Sequence, residues 1–393
     1  MSPRQIYENI QIVTGHTVMS GLYQEPDGLV AIESGQIVYA GATSRYDGDR
    51  GGAMDMEGAL CLPGLVACHN PCLWAGQHSH SSELSPADHQ VLMKDIVAAT
   101  RQADDETLVA QVAERTAALA RSGVTSCELK SGFGGDPETE LRFAGLLSAF
   151  AANTPMRTRL TLAIGHRFPD DADPYEVLEE IERVHLPAVH QMSSISAIEV
   201  YCDEVAGLDL DSCSTILELF YRKKTPSRVA CDRFEDSAGA TLPASFYSRC
   251  ATFLNRTDEL DLQSLATVGT VAVVVPETLR TDAEPVLPDL SVIRENGGRI
   301  ALAPLAGPES GPADMLQVLR MGRRELGLTH EETLAAGTTH PAKALGLSEE
   351  AGEIAAGRPA DLSFFSAGSL EHLLEDETTR CISVIRSGHL TRH

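Results

Sequence analysis

The stretch LPGLVACHNPCLWAG, residues 62–76, marks the point at which the sequence changes its pattern, and it decides the fold. Before it, short apolar runs such as GLVAIESGQIVYAG are broken by glycine-rich turns, which predicts antiparallel strands. After it, apolar runs such as GLVAC and VTSCELK alternate with amphipathic segments such as ETLVAQVAERTAALARSG. Repeated strand-then-helix units predict a parallel sheet with helices on the outside.

Eight candidate strands fall between Gly64 and Pro304, which favours a closed barrel over an open sheet. Beyond HEETLAAGTTHPAKALGL, short strands return in GEIAAGRPADLSFFSAG and CISVIRSGHLTR. We therefore predict an α/β fold in which a (β/α)8 TIM-like barrel spans residues 64–349. Residues 1–63 and 350–393 are predicted to form one small β-sandwich built from both termini.

The composition excludes several classes of partner. The formal net charge is -25 and the acidic residues are spread along the chain, so nucleic acid and anionic membranes would be repelled. The N-terminal segment MSPRQIYENIQIVTG has no apolar export signal, and no window approaches 18 apolar residues. The nine cysteines are scattered and are expected to be reduced thiols. These features predict a cytoplasmic protein that acts on a small molecule.

Five segments carry a resemblance to a known family: LPGLVACH, GVTSCELKSGFG followed by ETELR, AIGHRFP, GTVAVVVP and THPAKALGLSEEAGEIAAGRPADLSFF. On these segments the chain resembles the amidohydrolase superfamily over nearly its whole length. Within that superfamily it is most similar to the imidazolonepropionase family, which opens the imidazolone ring in histidine breakdown. The ELKSGFG and ETEL segments are the ones that indicate this family within the superfamily. Members of the family commonly pair as homodimers, which the resemblance extends to this chain.

The resemblance implies one metal ion at the C-terminal mouth of the barrel. Its ligands would be a His-x-His pair after the first barrel strand, histidines after strands five and six, and an aspartate after strand eight. The first histidine is His69, but the other four positions hold proline, alanine, phenylalanine and leucine, whose side chains offer no lone pair to Zn²⁺. One histidine cannot hold the ion alone. We therefore expect no metal and no other cofactor. The other four ligand positions fall on Pro71, Ala230, Phe253 and Leu305.

Three residues are candidates for catalysis: His69, His166 and Glu128. His69 and His166 can both carry a proton near neutral pH, and His166 stands where the family places a histidine on the carbonyl side of the substrate. A histidine that is merely hydrogen-bonded inside the barrel is the alternative for His166. Strand alternation sends Glu128 and Lys130 to the same face, where the pair is either structural or binds substrate.

The candidate substrate-binding residues are Lys130, Phe133, Asp232, Arg233 and His78. Phe133 stands where the family has a ligand-binding tyrosine, and His78 lies in the loop that has lost the family's substrate-carboxylate arginine. Arg233 replaces the family's catalytic glutamate, and a cation beside Asp232 suits a carboxylate or developing negative charge. The alternative is an arginine turned outward into a surface ion pair with nearby acids.

The cysteines around His69 suggest two further sites. Cys68 and Cys72 flank this imidazole, and a thiol in that setting can become a nucleophile, although free cysteine is more often a small buried hydrophobe. A rebuilt metal site would also draw on His78 and His80, but the spacing C-H-x2-C-x5-H-x-H matches no standard zinc pattern.

The sequence therefore favours a metal-independent enzyme acting on a small carboxylate-bearing or nitrogen-heterocyclic compound. Ring closure, dehydration, isomerisation or hydrolysis of an already reactive ring are the reactions that need no metal-activated water. One alternative is a non-catalytic descendant that binds a small ligand or a partner enzyme. The other is a C–N hydrolase with a rebuilt metal site.

Overall fold

The computed structural model describes residues 4–18, 21–76, 83–164 and 173–393. These residues form two sheets with helices packed on one of them. The strands are β1 (Gln5–Val18), β2 (Gly21–Glu33), β3 (Gln36–Ala42), β4 (Met54–Pro63), β5 (Leu65–Ala67), β6 (Val124–Lys130), β7 (Arg157–Ala163), β8 (Ile195–Cys202), β9 (Ser227–Cys231), β10 (Cys250–Phe253), β11 (Val271–Val274), β12 (Arg299–Leu302), β13 (Leu362–Phe365), β14 (Cys381–Arg386) and β15 (His389–Arg392).

Along the chain, most helices lie between or directly after the barrel strands, and the last helix lies between β13 and β14. They are α1 (Pro86–Gln102), α2 (Asp105–Arg121), α3 (Pro137–Asn153), α4 (Pro174–Gln191), α5 (Leu210–Tyr221), α6 (Thr241–Phe246), α7 (Glu259–Val268), α8 (Thr278–Thr281), α9 (Leu290–Glu295), α10 (Met315–Arg324), α11 (His330–Gly337), α12 (Thr339–Leu345) and α13 (Leu370–Glu375).

Strands β5 to β12 lie side by side in chain order, and every neighbouring pair in this order is parallel. This eight-stranded sheet confirms the predicted TIM-like barrel. Its strands are buried on both faces, which is why they read as nearly continuous apolar runs. All of β6 is buried, and its charged residues Glu128 and Lys130 pair with Arg228 on β9 and Glu199 on β8, so these two side chains occupy the barrel interior.

The second sheet has the order β15-β14-β13-β4-β1-β2-β3. Strand β13 pairs with β4 in antiparallel register, with Leu362 opposite Pro63, and this pairing joins the two ends of the chain. Tyr7, Ile10 and Phe364 contribute to its buried core. The prediction of one small β domain built from both termini is therefore confirmed, while the exact boundaries at 63/64 and 349/350 stay a prediction.

Helix α1 forms part of the wall above the barrel. The residues that cap its N-terminus can be recognised in the sequence. The side chain of Ser85 accepts a hydrogen bond from the backbone N–H of Asp88, the Asp88 carboxylate accepts one in return, and Pro86 occupies the first turn. Within the described ranges, no helix has the length and apolar character needed to cross a bilayer.

Candidate functional site

A cavity of about 640 Å³ opens at the C-terminal ends of the barrel strands, which we call the barrel mouth. This is the end at which barrel enzymes place their catalytic groups. The positions at which the resemblance implies metal ligands all line this one cavity, so the fold does bring them together. They are His69, Pro71, Ala230, Phe253 and Leu305.

This set of side chains does not fit the metal that the family implies. Of the five, only His69 carries a nitrogen or oxygen donor in its side chain, whereas protein zinc sites use three or four such ligands. His78, His80 and His166 lie outside the described residues.

An ammonium group sits beside His69 instead. The Nζ atom of Lys130, at the end of β6, lies 2.9 Å from Nδ1 of His69 and 2.7 and 2.8 Å from the two carboxylate oxygens of Glu199. Burial disfavours the charged form of Lys130, but the carboxylates of Glu128 and Glu199 outweigh burial and raise its pKa. Lys130 is therefore a buried, protonated cation at the barrel mouth.

The contact with Lys130 fixes the form of the His69 ring. An ammonium group can only donate, so Nδ1 of His69 must accept. The neutral imidazole then carries its proton on Nε2, as a hydrogen-bond donor. Phe253 packs edge-on against the ring, with centroids 5.5 Å apart. His69 thus lines the cavity in one tautomer, as a donor rather than a base.

Glu128 does not reach the cavity, contrary to the predicted catalytic role. Its carboxylate accepts hydrogen bonds from the backbone N–H of Asn70 and the hydroxyl of Thr161, and it forms ion pairs with Arg228 and Lys130. The side chain is fully buried one layer below the mouth, because Glu128 precedes Lys130 by two residues on the same strand face. Glu128 therefore helps to hold Lys130 in position. A contact between Glu128 and the substrate, as predicted, would require its hydrogen bonds and ion pairs to break.

Arg233 is turned inward, so the outward alternative is wrong. Its guanidinium group donates to both carboxylate oxygens of Asp282, at 3.2 and 2.7 Å, and to Glu309 at 2.9 Å. It also lies over the rings of Phe234 and Phe253, at 4.7 and 5.2 Å from their centroids. Burial disfavours the cation, but Glu309 and Asp282 raise its pKa. Arg233 lines the cavity, yet two protein carboxylates already neutralise its charge.

Asp232 lies behind the cavity wall rather than in it. Its carboxylate accepts hydrogen bonds from the backbone N–H groups of Ser237, Gly239 and Ala240 and from the hydroxyl of Thr257. Burial raises its pKa to about 6. These bonds hold the loop after β9, so the predicted binding of substrate by Asp232 has no support from its position.

The other predictions divide into two groups. Phe133 lines the cavity and packs in a cluster with Trp74 and Ile96, at the position predicted from the sequence. His78 and His166 were also predicted as site residues, and both lie outside the described residues. The roles predicted for Phe133, His78 and His166 therefore stay predictions.

The two cysteines near His69 do not have the character of nucleophiles. Both are buried, and burial raises the pKa of the Cys68 thiol well above its usual value and that of Cys72 to about 12. A thiol of this kind is almost entirely protonated at neutral pH. The interpretation as small buried hydrophobes fits both residues.

Glu199, Tyr201 and Glu309 are among the cavity-lining residues that were not singled out from the sequence. The first two lie on β8 in the run AIEVYC, where a carboxylate interrupts an otherwise apolar strand. That interruption was a usable signal, because buried charges are rare unless they are paired. Glu309 lies in the irregular loop after β12, where spacing carries no such signal.

Comparisons with known proteins identify the family of this chain. A model of the amidohydrolase family matches residues 306–390. The imidazolonepropionase of Bradyrhizobium diazoefficiens is 30% identical over 374 residues, covering 92% of this chain and 92% of that protein. The imidazolonepropionase of Hahella chejuensis is 32% identical over 332 residues, covering 81% and 82%. The chain therefore belongs to the amidohydrolase family. Within that family it is similar to the imidazolonepropionases.

Solved structures show the same fold at lower identity. The 5-methylcytosine deaminase of Klebsiella pneumoniae, crystallised with 5-fluorocytosine, matches with a TM-score of 0.77 at 17% identity, covering 99% of this chain and 98% of that one. The guanine deaminase of E. coli matches with a TM-score of 0.72 at 14% identity, covering 99% of both chains. The likeness extends through the barrel and the terminal sheet.

Proposed function

We propose that this protein is an enzyme that acts without a metal ion on a small nitrogen heterocycle bound at the barrel mouth. The proposal is carried by one observation, the contact between the Lys130 ammonium and His69 Nδ1 at 2.9 Å. The His69 Nδ1 atom faces a protein cation, and the other positions at which the family has metal ligands hold apolar side chains. In this proposal the positive charge beside His69 is that of the Lys130 ammonium and not that of a metal ion.

In this proposal His69 is the residue that donates a hydrogen bond to the reacting group of the substrate. With Nδ1 engaged by Lys130, Nε2–H donates to a carbonyl oxygen or ring nitrogen of the heterocycle and stabilises negative charge that develops there. Lys130 is a positioning residue for this ring. Glu199 in turn holds the ammonium through two hydrogen bonds.

The charges around Arg233 favour a substrate with N–H groups over one with a carboxylate. The two carboxylates of Asp282 and Glu309 already balance the positive charge of Arg233, so this guanidinium group is not available to pair with a substrate carboxylate. Burial disfavours the Glu309 carboxylate, but Arg233 and His89 lower its pKa. Of the two predicted substrate classes, we therefore favour the nitrogen heterocycle, with Glu309 as an acceptor for its N–H.

The relatives support this class of substrate. The matching proteins are named for imidazolonepropionate, 5-methylcytosine and guanine, each of which contains a nitrogen heterocycle. Reactions that need no metal-activated water suit the site: ring closure, dehydration, isomerisation, or hydrolysis of an already reactive ring. Imidazolones, hydantoins and dihydropyrimidines form the first panel of compounds to test.

The experiment combines metal analysis with turnover. Protein purified from medium supplemented with zinc, iron and manganese is analysed for bound metal and incubated with the panel, and products are detected by absorbance and by the gain or loss of water in the mass spectrum. We expect turnover that survives chelator treatment, and loss of turnover in His69→Gln but not in His372→Gln, an exposed control far along the chain. About one equivalent of metal per chain together with chelator-sensitive turnover would refute metal independence. Ligand binding without any turnover would instead indicate a non-catalytic descendant.

A further inference from the structure

The cavity continues beyond the barrel mouth into a side recess. We define the recess by the cavity-lining faces of α1, of the loop after β6 and of α4, represented by Met93, Val97, Phe133, Val177 and Ile181. All five are apolar. The recess and the mouth belong to one continuous cavity, so a single ligand can occupy both.

The recess is too large to be an edge of a site for one small ring. Met93, Val97 and Arg101 follow one another at intervals of four residues on one face of α1, and all three line the cavity. Eight residues of α-helix correspond to about 12 Å. The whole cavity of about 640 Å³ lies within the range of roughly 300–1,000 Å³ that holds drug-sized ligands.

Three of the charged side chains in the recess wall, Arg101, Asp136 and Glu140, are bound to neighbouring protein groups. The guanidinium group of Arg101 pairs with Asp136 and donates to the carbonyl oxygen of Gly134. The Glu140 carboxylate accepts hydrogen bonds from the backbone N–H groups of Gly132 and Gly134. These contacts hold the side chains of Arg101 and Glu140 against the loop after β6, and Lys94 of α1 also lines this wall beside the apolar side chains.

A neutral histidine completes this wall. Burial lowers the pKa of His185 to about 4, and its Nε2 lies 3.0 Å from the carbonyl oxygen of Pro137. His185 therefore adds no charge to the recess at neutral pH. An imidazole in that state packs as a flat, largely apolar surface beside Ile181, four residues earlier on α4.

We propose that the recess binds an apolar substituent of the substrate, so that the substrate is a nitrogen heterocycle carrying an aliphatic or aromatic side chain instead of a carboxylate-terminated one. The identity of the ring rests on the proposed function, whereas the apolar substituent rests on the recess alone. Each methylene group transferred from water into the recess is expected to tighten binding about fourfold.

The test uses 4-alkylimidazoles with side chains from methyl to hexyl, titrated into the wild-type protein by calorimetry. We expect the dissociation constant to fall about fourfold per methylene group until the recess is filled. A carboxylate-terminated imidazole of equal length should bind more weakly than its alkyl counterpart. A dissociation constant that does not depend on chain length, or tighter binding of the carboxylate, would overturn the proposal.

A matched pair of variants locates the effect. Both Ala98 and Val91 are exposed positions of α1, but only Ala98 lines the cavity, so Ala98→Phe places a ring at the recess and Val91→Phe places one away from it. The first variant should abolish the dependence on chain length and the second should leave it intact. The wild-type series decides the proposal by itself if Ala98→Phe does not fold.

A parallel series of 1-alkanols separates this proposal from the proposed function. Chain-length dependence in alkanols and alkylimidazoles alike, with no preference for the imidazole, supports the recess and counts against heterocycle binding at the mouth. If neither series shows a dependence on chain length, the recess proposal is overturned. Turnover of heterocycles without any gain from an apolar substituent does the same while leaving the proposed function in place.

Discussion

Replacement of Lys130 by methionine tests the buried charge cluster on which the proposed function depends. The cluster comprises Glu128, Lys130, Glu199 and Arg228, all fully buried, and its formal charges sum to zero. Lys130→Met keeps a similar volume but removes the ammonium, which leaves a net negative charge inside the barrel. Arg228 still pairs with Glu128, so Glu199 is the carboxylate that loses its two hydrogen bonds from the Lys130 ammonium.

The expected cost follows from this geometry. Both carboxylate oxygens of Glu199 accept hydrogen bonds from Lys130, at 2.7 and 2.8 Å, and both side chains are buried. Removal of one partner of a buried ion pair typically costs about 3–5 kcal/mol, because the other charge stays buried without compensation. We expect the free energy of unfolding to fall by about this amount in Lys130→Met. Lys223→Met, at an exposed position, should change it by less than about 0.5 kcal/mol.

A double variant separates charge balance from lost packing. Lys130→Met combined with Glu199→Gln restores a neutral cluster and should recover about 2 kcal/mol or more of the loss, as measured by urea unfolding. Turnover and ligand binding should not recover, since His69 still lacks the donor that fixes its tautomer. In ¹⁵N-histidine spectra, the His69 signal, assigned by comparison with His69→Gln, should show a proton on Nε2 in the wild type.

Two results would refute this reasoning. A cost for Lys130→Met as small as that of Lys223→Met would mean that the ammonium is not buried among carboxylates. Full recovery of turnover in the double variant would mean that Lys130 serves only stability and does not orient His69.

Three further predictions concern other parts of the chain. Because burial raises the pKa of Cys72 to about 12, iodoacetamide should not alkylate it in the native protein at neutral pH, and peptide mass spectrometry showing rapid alkylation would contradict its burial. His185 has its pKa lowered from 6.5 to about 4 by burial, so it is neutral in the folded state above that value, and the free energy of unfolding should fall by up to about 3 kcal/mol as pH drops from about 6.5 to about 4. His185→Gln should remove this pH dependence, whereas His190→Gln, exposed on the same helix, should retain it. Arg320→Met removes the donor from the buried carbonyl oxygens that join α13 and its following loop to α10, and should destabilise the fold by about 2–3 kcal/mol in urea unfolding, against less than about 1 kcal/mol for the surface-paired Arg324→Met.

Much of the fold follows from local patterns. The change from strand alternation to strand-helix repeats after residue 62 was enough to predict the barrel and the returning β domain, because side-chain periods of two and 3.6 depend only on the neighbouring chain. The apolar residues at the family's ligand positions were also readable directly. Donor chemistry belongs to a residue type, so Ala230 and Leu305 lack lone pairs wherever the chain places them.

The partners of the charged residues were decided by the tertiary structure alone. Alternation along β6 gave the shared face of Glu128 and Lys130, but it could not show that Lys130 meets His69, 61 residues earlier, and Glu199, 69 residues later. The same limit applied to Arg233, for which inward and outward orientations were equally consistent with the sequence. A buried charge must find a counter-charge across the barrel, and closure of the parallel sheet, rather than spacing along the chain, determines which one lies within reach.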